Sequence, residues 1–404
     1  MMKYKCIDLF CGTGGLTRGF ENANFETVFA NDFDNQIGES FKVNFPHIPF
    51  IGGDITKLNY ELIANNYKIK PDSIDVIMGG PPCQGYSMAN RKRIEEDERN
   101  LLFLEFIRCV RHFKPKCFLI ENVVGMKGEN INHKNENKSV ISAINDYFDN
   151  INDAKYKIGF KTFKAEEHGV PQFRRRIILI GTRIESKISD LQIGAIGNLV
   201  KSFKAIDNTK KANKNQNQIS FLNSLEQTDG VKLKEPTTVW ESISDLPDIG
   251  PGEGSDEMEY ASPPQNDYQT LMRNNSNFVY NHVSTPHSEE AMKRIKLIKQ
   301  GENFKNLPKE LQTKSVHSGA YGRLEADYLA PTITTRFDTP STGRVIHPFK
   351  DRTLTVREAA RIQSFPDYHQ FTGTRTSQGK QIGNAVPPLV GKKIAEMFIN
   401  DFLS

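Results

Sequence analysis

Residues 6–20 read Cys-Ile-Asp-Leu-Phe-Cys-Gly-Thr-Gly-Gly-Leu-Thr-Arg-Gly-Phe and carry a strand, a turn and a helix in succession. The run 6–10 is typical of a buried strand, and the glycines at 12–15 predict a tight turn that leads into the helix. The pattern repeats along the first 180 residues, with further strands predicted at 27–31, 75–78, 117–120 and 177–181 and a helix at 101–113. Strands that alternate with helices favour an α/β fold with a doubly wound, mostly parallel sheet.

The composition of the 404-residue chain suits a soluble globular protein, with 37% hydrophobic and 25% charged residues. No apolar run approaches the roughly 20 residues that a membrane span needs, and the amino terminus lacks the pattern of a signal peptide. The odd count of five cysteines argues against a disulfide framework, and no Cys-x-x-Cys pair suggests a zinc site. We therefore expect a cytoplasmic protein with reduced thiols. The net charge of +4 is compatible with nucleic-acid binding without being diagnostic.

The chain changes character near residue 185, where Asn, Gln, Lys, Ser and Pro become frequent and apolar runs become short. Loops are expected at 207–220 and 250–268, and helices at 288–299, 355–363 and 391–402. We predict a large domain at 1–184, a smaller, irregular, β-rich domain at 185–375, and a carboxyl-terminal segment at 376–404 that returns to the large domain.

The glycine turn at 12–15 predicts a ligand site, because glycine lets a ligand approach the backbone closely. The pattern Gly-x-Gly-x-x-Gly of dinucleotide folds fails, since Thr17 stands where the third glycine belongs, and no phosphate-binding Gly-Lys-Ser/Thr sequence follows. A ligand without a pyrophosphate remains compatible. Asp32, at the end of the second strand, could accept a hydrogen bond from a ribose. Asp54 could accept one from an adenine amino group or could simply cap a turn.

Residues 79–87 read Gly-Gly-Pro-Pro-Cys-Gln-Gly-Tyr-Ser and place one thiol directly after a predicted strand. Pro81 and Pro82 fix two backbone torsions, so the position of the Cys83 sulfur is restricted before any substrate arrives. Sites in open α/β sheets lie at the carboxyl ends of strands, which favours a nucleophile over a core cysteine. Taken alone, the run also allows a hydrolase or a redox site.

Four runs together resemble the DNA cytosine-5 methyltransferase family, in its prokaryotic type II restriction-modification form. They are Pro-Pro-Cys-Gln at 81–84, Glu-Asn-Val at 121–123, Gln-Phe-Arg-Arg-Arg at 172–176 and Gln-Ile-Gly-Asn-Ala-Val-Pro-Pro at 381–388. They occur in the order of the family and near its spacings, and the resemblance covers the chain except its variable middle. It implies the Rossmann-like fold of class I S-adenosylmethionine-dependent methyltransferases, with residues 1–184 as the catalytic domain and 185–375 as the target-recognition domain.

The resemblance implies that Cys83 adds to carbon 6 of a flipped-out cytosine and that Glu121 supplies a proton near ring nitrogen 3. Arg176 matches the arginine that contacts the 2-keto oxygen, and Arg174, two residues earlier on the strand, points to the same side. The implied cofactor is S-adenosylmethionine, which becomes S-adenosylhomocysteine, and no metal is expected. The implied cofactor residues are Phe10, Gly12, Gly14, Asp32, Asp54, Ile55, Pro81 and Asn384. The residues expected to contact DNA are Gln84, Ser87, Arg323 and Thr334.

The expected partner is double-stranded DNA, read by a monomer associated with the nucleoid, and a cognate restriction endonuclease is expected to act on the same site. Three alternatives remain. The first is a tRNA cytosine-5 methyltransferase, although the Cys-Phe-Thr tripeptide and compact recognition region of that branch are missing. The second is a catalytically inactive DNA-binding regulator, which the presence of Cys83, Glu121 and Arg176 disfavours. The third is an NAD-dependent oxidoreductase, which the failed glycine pattern disfavours. The variable middle does not reveal the DNA sequence that is methylated.

Overall fold

The structure is a computed structural model that describes residues 3–70, 72–82, 102–125, 130–133, 136–139, 148, 155–183, 235–274, 276–314 and 317–403. The amino-terminal part of these residues is built on one sheet of seven strands. In chain order the strands are β1 (Tyr4–Leu9), β2 (Phe25–Asp32), β3 (Phe50–Gly52), β4 (Val76–Gly79), β5 (Cys117–Val123), β6 (Asn130–His133), β7 (Glu136–Ser139), β8 (Tyr156–Lys164) and β9 (Arg175–Arg183), with β6 and β7 forming a separate hairpin. Every strand predicted from the sequence is present, with its ends shifted by a few residues.

The strand order is β3-β2-β1-β4-β5-β9-β8. Neighbours from β3 to β5 pair in parallel, whereas β9 pairs antiparallel with both β5 and β8. A parallel-rich α/β sheet is therefore confirmed, with an antiparallel pair added at one side. The strand order reverses between β1 and β4, which is where open sheets of this kind form a ligand crevice. Leu9 is in register with Gly79, and Gly79 with Ile120, so β1, β4 and β5 reach this edge together.

Helices cover both faces of the sheet. The α-helices of the described residues are α1 (Gly15–Glu21), α2 (Asn35–Asn44), α3 (Tyr60–Asn66), α4 (Leu102–Phe113), α5 (Val239–Ile243), α6 (Asp267–Arg273), α7 (Glu289–Leu297), α8 (Val356–Ile362), α9 (Arg375–Asn384) and α10 (Pro388–Phe398). Side chains of the strands alternate between two apolar cores because successive residues point to opposite faces. One core joins Ile7, Ile77 and Phe118 to Phe106 and Val110 of α4. The other joins Cys6, Val76 and Cys117 to Val390 and Ile394 of α10.

The carboxyl-terminal helix α10 packs against α1 through glycines. A Cβ atom on Gly19 would lie 2.6 Å from the Cα atom of Gly391, so the two backbones are in direct contact. The helix begins at Pro388, earlier than the predicted residue 391, because proline is well suited to the first turn of a helix. Residues from the end of the sequence thus complete a core that begins with β1.

Between residues 235 and 375, the described part of the middle region contains four short strands. Its strands are β10 (Gly254–Glu259), β11 (Phe278–Val283), β12 (Gly322–Arg323) and β13 (Arg344–Ile346), which pair two by two. The prediction of a loop at 250–268 is wrong for residues 254–259, which form β10. This strand is largely exposed and has no apolar alternation, so its sequence does not reveal it, and it forms by pairing with β11. The predicted loop at 207–220 lies outside the described residues. The predicted helices at 288–299 and 355–363 are present as α7 and α8.

Buried ion pairs hold α8 in this region. Arg361 donates to both carboxylate oxygens of Asp367, each at 2.6 Å, and to Asp245. Arg352 donates to both carboxylate oxygens of Glu358 at 2.8 Å. These side chains are fully or almost fully buried, so their charges need such partners. The residues around α8 therefore have a structural role.

Candidate active site

The carboxyl edge of the sheet brings together several of the residues that the sequence singled out. The glycine turn follows β1, Gly80, Pro81 and Pro82 follow β4, and Glu121 lies near the end of β5. Arg176 lies near the start of β9, and its register partner is Val123 on β5. The antiparallel direction of β9 thus brings its first residues to the edge where β5 ends. Cys83, Gln84 and Ser87 fall within 83–101, outside the described residues, so their predicted roles stay predictions.

The Glu121 carboxyl group is buried at this edge. It is 8% exposed, and a Cβ atom on Gly80 would lie 3.4 Å from its Oε2 atom. The Nε atom of Arg176 is 3.2 Å from Oε1, close enough for an ion pair. Burial raises the pKa of Glu121, and the nearby charges of Arg176 and Arg174 oppose that rise only in part. Such a carboxyl group can keep a proton where an exposed glutamate would lose it.

Asn122 ties the strand that carries Glu121 to the Pro-Pro segment. Its side-chain nitrogen donates to the carbonyl oxygen of Pro81 at 3.1 Å, and its side-chain oxygen accepts from the backbone of Val123 at 2.8 Å. Pro81 is itself buried. The backbone that precedes Cys83 is therefore fixed against β5, on which Glu121 lies.

Arg174 and Arg176 have different partners in the structure. Arg174 precedes β9 and is 1% exposed, and its Nη2 atom donates to the carbonyl oxygens of Gly383 at 3.1 Å and Ala385 at 2.9 Å. These carbonyls flank Asn384, so Arg174 holds the turn in which Asn384 lies. Burial lowers the pKa of Arg174 to about 9. The charge of Arg174 is near enough to lower the pKa of Glu121, as expected if Arg174 and Arg176 point to the same side. The hydrogen bonds of Arg174, however, go to backbone carbonyl oxygens and hold the chain in place. Arg175 is exposed, as expected for the opposite side of the strand.

The glycine turn after β1 is shaped by Asp32. The backbone N–H of Gly12 donates to Oδ2 of Asp32 at 2.8 Å, and the N–H of Asp34 donates to Oδ1 at 3.0 Å. Burial raises the pKa of Asp32. Phe10, Gly12 and Gly14 all have positive φ angles, of 56°, 55° and 89°, so the chain turns sharply here. Apart from Gly12 and its two chain neighbours, no atom of the described residues lies within 4 Å of the place that a Cβ atom of Gly12 would occupy, which leaves space for a ligand against the backbone.

The other predicted cofactor residues surround this turn. The Oδ1 atom of Asp54 accepts from the backbone and the hydroxyl group of Thr56, so the residue caps a turn, and the backbone hydrogen bond lowers its pKa. Ile55 is buried in the core below. Asn384 is exposed. The carbonyl oxygen of Val386 lies close to Gly15, only 2.2 Å from the place that a Cβ atom on this glycine would occupy. The turn at 384–386 therefore packs on the start of α1.

The prediction that Arg323 contacts DNA conflicts with its surroundings. The side chain is buried, and its guanidinium group donates to the backbone carbonyl oxygens of Ile295, Ile298, His347 and Lys350 and to the carboxylate of Asp351. An arginine that is satisfied in this way holds the chain around it together. Thr334, in contrast, is exposed, and its backbone packs against Gly383.

One aromatic residue at this edge was missed by the sequence reasoning. Phe33, directly after Asp32, is 74% exposed, although phenylalanine is usually buried. Its position between two aspartates after a predicted strand was the available signal. An exposed aromatic ring beside a proposed nucleoside site is suited to stacking on a base. Within the described ranges, no group of side chains could hold a metal ion, and no helix is long and apolar enough to cross a membrane.

Solved structures place the fold among the class I methyltransferases. The crystal structure of a protein described as a DNA modification methyltransferase encoded within a prophage (E. coli) matches with a TM-score of 0.71 at 27% identity, and the match covers 100% of both chains. DNMT2 of Spodoptera frugiperda matches with a TM-score of 0.56 at 15% identity, over 98% of this chain and 100% of that one, which shows a shared fold only.

The sequence matches the family model of C-5 cytosine-specific DNA methylases over residues 4–400. It is 33% identical to the type II methyltransferase M.DdeI of Desulfomicrobium norvegicum, over 96% of this chain and 87% of that protein. It is 31% identical to the type II methyltransferase M.AgeI of Thalassovita gelatinovora, over 97% and 98%. The chain therefore belongs to the C-5 cytosine-specific DNA methylase family and is a DNA (cytosine-5)-methyltransferase. Use of S-adenosylmethionine follows from the family.

Proposed function

We propose that this enzyme methylates carbon 5 of a flipped-out cytosine in a specific double-stranded DNA sequence through a covalent adduct with Cys83. The observation that carries the proposal is the buried Glu121 carboxyl group. It adjoins Gly80, three residues before Cys83, and faces Arg176. An acid with a raised pKa, a nearby cation and a thiol held by two prolines together suit nucleophilic attack on a pyrimidine ring.

The proposed chemistry uses these side chains in sequence. The Cys83 thiolate adds to carbon 6, a carbon–sulfur bond forms, and ring nitrogen 3 takes the proton of Glu121. Carbon 5 becomes nucleophilic and accepts the electrophilic methyl group that S-adenosylmethionine supplies when bound. A base then removes the carbon-5 proton, the ring double bond re-forms, and Cys83 leaves as a thiolate. The proton on nitrogen 3 returns to the Glu121 carboxylate.

The residues around the glycine turn fit a nucleoside-like cofactor. The open space at Gly12 leaves its backbone accessible, and Asp32 beside it has lone pairs for ribose hydroxyl groups. We assign the adenine end to Asp54 and the exposed ring of Phe33, and the side facing cytosine to Pro81 and Asn384. Phe10 and Gly14 fix the bend of the turn, and Ile55 closes the apolar floor.

No side chain can reach carbon 6 inside a stacked duplex, so the target cytosine must leave the helix, at a cost of a few kcal/mol. Gln84 and Ser87, next to Cys83, are proposed to contact the displaced strand, and exposed Thr334 is proposed to face DNA as well. Residues 185–375 are proposed to read the target sequence through base edges in the major groove.

The names of the relatives support a place in a restriction-modification system. M.DdeI and M.AgeI are type II methyltransferases, so we propose that methylation here protects host DNA from a cognate endonuclease. The same relatives favour DNA over tRNA as the substrate. A monomer is proposed as the active form.

The covalent step is tested with DNA that carries 5-fluorocytosine. The fluorine at carbon 5 cannot leave as a proton, so the enzyme should remain bonded to the DNA after methyl transfer. Bisulfite sequencing of DNA from cells that express the enzyme first identifies the target site. A covalent complex on that site, stable in denaturing gels, is expected for the wild type and absent for Cys83→Ser.

The matched control is Cys109→Ala, which removes a buried thiol of α4 itself. The Cys109→Ala variant should still form the covalent complex with DNA, and the amount of complex should be proportional to the fraction of the protein that folds. Methylation by Cys83→Ser at the wild-type rate, or no trapping on a site that the wild type methylates, would contradict the covalent mechanism.

A further inference from the structure

A segment from the carboxyl-terminal third of the chain packs behind the glycine turn. The segment, residues 367–372, contacts α2 at two places. Asn44 and Gln370 exchange two hydrogen bonds, of 2.7 and 2.9 Å. The hydroxyl group of Ser40 lies 2.9 Å from that of Thr372 and accepts from the Thr372 backbone at 2.7 Å. The segment is thus fixed on the helix that follows Asp32.

Between these two elements, His369 reaches the glycine turn itself. Its Nε2 atom lies 3.1 Å from the hydroxyl oxygen of Thr13, although the two residues are 356 positions apart in the sequence. Thr13 is 1% exposed and His369 is 0% exposed, so water does not compete for this hydrogen bond. The contact therefore depends on both partners being held in place.

The surroundings of His369 hold its ring firmly. Its backbone N–H donates to the carbonyl oxygen of Pro366 at 3.0 Å, and its carbonyl oxygen accepts from Arg357 at 2.6 Å. The ring lies against Phe45, Phe365 and Phe371, with centroid separations of 6.0, 4.7 and 5.0 Å. The described residues give its Nδ1 atom no hydrogen-bond partner, so Nε2 is the one ring atom with a partner there.

Thr13 is the position at which the turn needs an anchor. It stands between Gly12 and Gly14, which both have positive φ angles, and glycine has the greatest conformational freedom of any residue. A buried hydrogen bond from the side chain between them restricts the turn to one shape. That turn carries the open backbone at Gly12.

We propose that His369 is a positioning residue that holds Thr13, and with it the glycine turn, in the shape that binds the cofactor. The proposal rests on the cofactor role of the glycine turn given above. His369 touches neither cofactor nor cytosine, and it acts through Thr13. Through Asp367 and Arg361, the same segment connects the turn to the buried charges around α8.

The test is binding of S-adenosylhomocysteine, measured by calorimetry without DNA. His369→Phe keeps the ring packing and removes the hydrogen bond, and Thr13→Val removes the hydroxyl group with little change of shape. Each should weaken binding about three- to tenfold, as expected for one buried hydrogen bond. In turnover assays the effect should fall on the KM for S-adenosylmethionine rather than on kcat. His369→Gln, whose amide can reach Thr13, should restore binding to within about twofold of the wild type.

The double variant Thr13→Val with His369→Phe should bind no more weakly than either single variant, within about twofold, because both remove the same interaction. Additive losses would overturn the proposal, as would unchanged binding by both single variants while Asp32→Ala binds poorly. If Asp32→Ala also binds normally, the cofactor site itself is wrong and the proposal fails with it. Thermal melting of each unliganded variant identifies any that do not fold. If the His369 variants do not fold, the binding measured for Thr13→Val alone decides whether the proposal holds.

Discussion

At the scale of single residues, the proposed site depends on one buried acid. Glu121 lies beside Arg176 and against Gly80, and burial raises its pKa more than the two arginines lower it. A raised pKa keeps the carboxyl group protonated to higher pH, and the protonated form is the one that can donate to ring nitrogen 3. The environment of Glu121 thus keeps this acid protonated to a higher pH than an exposed glutamate would allow.

This state of Glu121 predicts a pH profile. The single-turnover rate of methyl transfer should fall as pH rises through the raised pKa, because ionised Glu121 has no proton to donate. Glu121→Gln should react roughly 10²- to 10⁴-fold more slowly and should lack that decline. The profile is measured by rapid quench with saturating cofactor and DNA.

The control for this profile is Glu105→Gln, which changes a glutamate on α4 that pairs with Arg108. It should keep the wild-type profile. If Glu121→Gln shows the same decline with pH as the wild type, another group is the acid.

At the scale of elements, the turn between α9 and α10 is held by the side chain of Arg174, the residue directly before β9. Arg174 donates to the carbonyl oxygens of Gly383 and Ala385, and Gln363 also donates to Ala385. The same turn also packs on Gly15 at the start of α1, through the carbonyl oxygen of Val386. Arg174 therefore connects the strand that bears Arg176 to the turn that bears Asn384.

Arg174→Met should lower the free energy of unfolding by about 2–3 kcal/mol, because a buried carbonyl oxygen loses a charged donor. It should also weaken cofactor binding, since the turn with Asn384 is released. Urea denaturation measures the first effect and calorimetry the second. Arg175→Met, at the exposed neighbour, should change stability by less than about 0.5 kcal/mol. Equal effects of the two variants would show that Arg174 does not hold this turn.

At the scale of the whole molecule, the two ends of the chain share one core. Val390, Ile394 and Phe398 of α10 pack in the core that contains Cys6 of β1, and Gly19 and Gly391 are in backbone contact. The middle of the chain lies between these ends in sequence. The carboxyl-terminal helix α10 is consequently part of the same core as the sheet.

A chain cut after residue 387 should therefore fail to fold cooperatively, because it loses α10 and exposes one face of the sheet. Denaturation followed by circular dichroism should show a broad transition without a clear midpoint. A cut after residue 398 retains α10 and should preserve a single cooperative transition at reduced stability. A sharp transition for the shorter chain would contradict the shared core.

Local patterns in the sequence reveal the strands, the glycine turn and the paired prolines because these features depend on neighbouring residues. Apolar runs predict β1, β4 and β5, and the glycines predict the turn that follows β1. The family motifs add Glu121 and Arg176, which the structure brings within 3.2 Å of each other. To this extent the α/β sheet and the proximity of Glu121 to Arg176 could be predicted.

Other features exist only through contacts between distant parts of the chain. The antiparallel placement of β9, the burial of Arg323, the Arg174 contacts and the Thr13–His369 pair have no local signature. An arginine on the surface and one buried among carbonyl oxygens look the same in a sequence. Burial and partners are set only when remote segments pack together, and here that packing separates the arginine beside the acid from those that hold the fold.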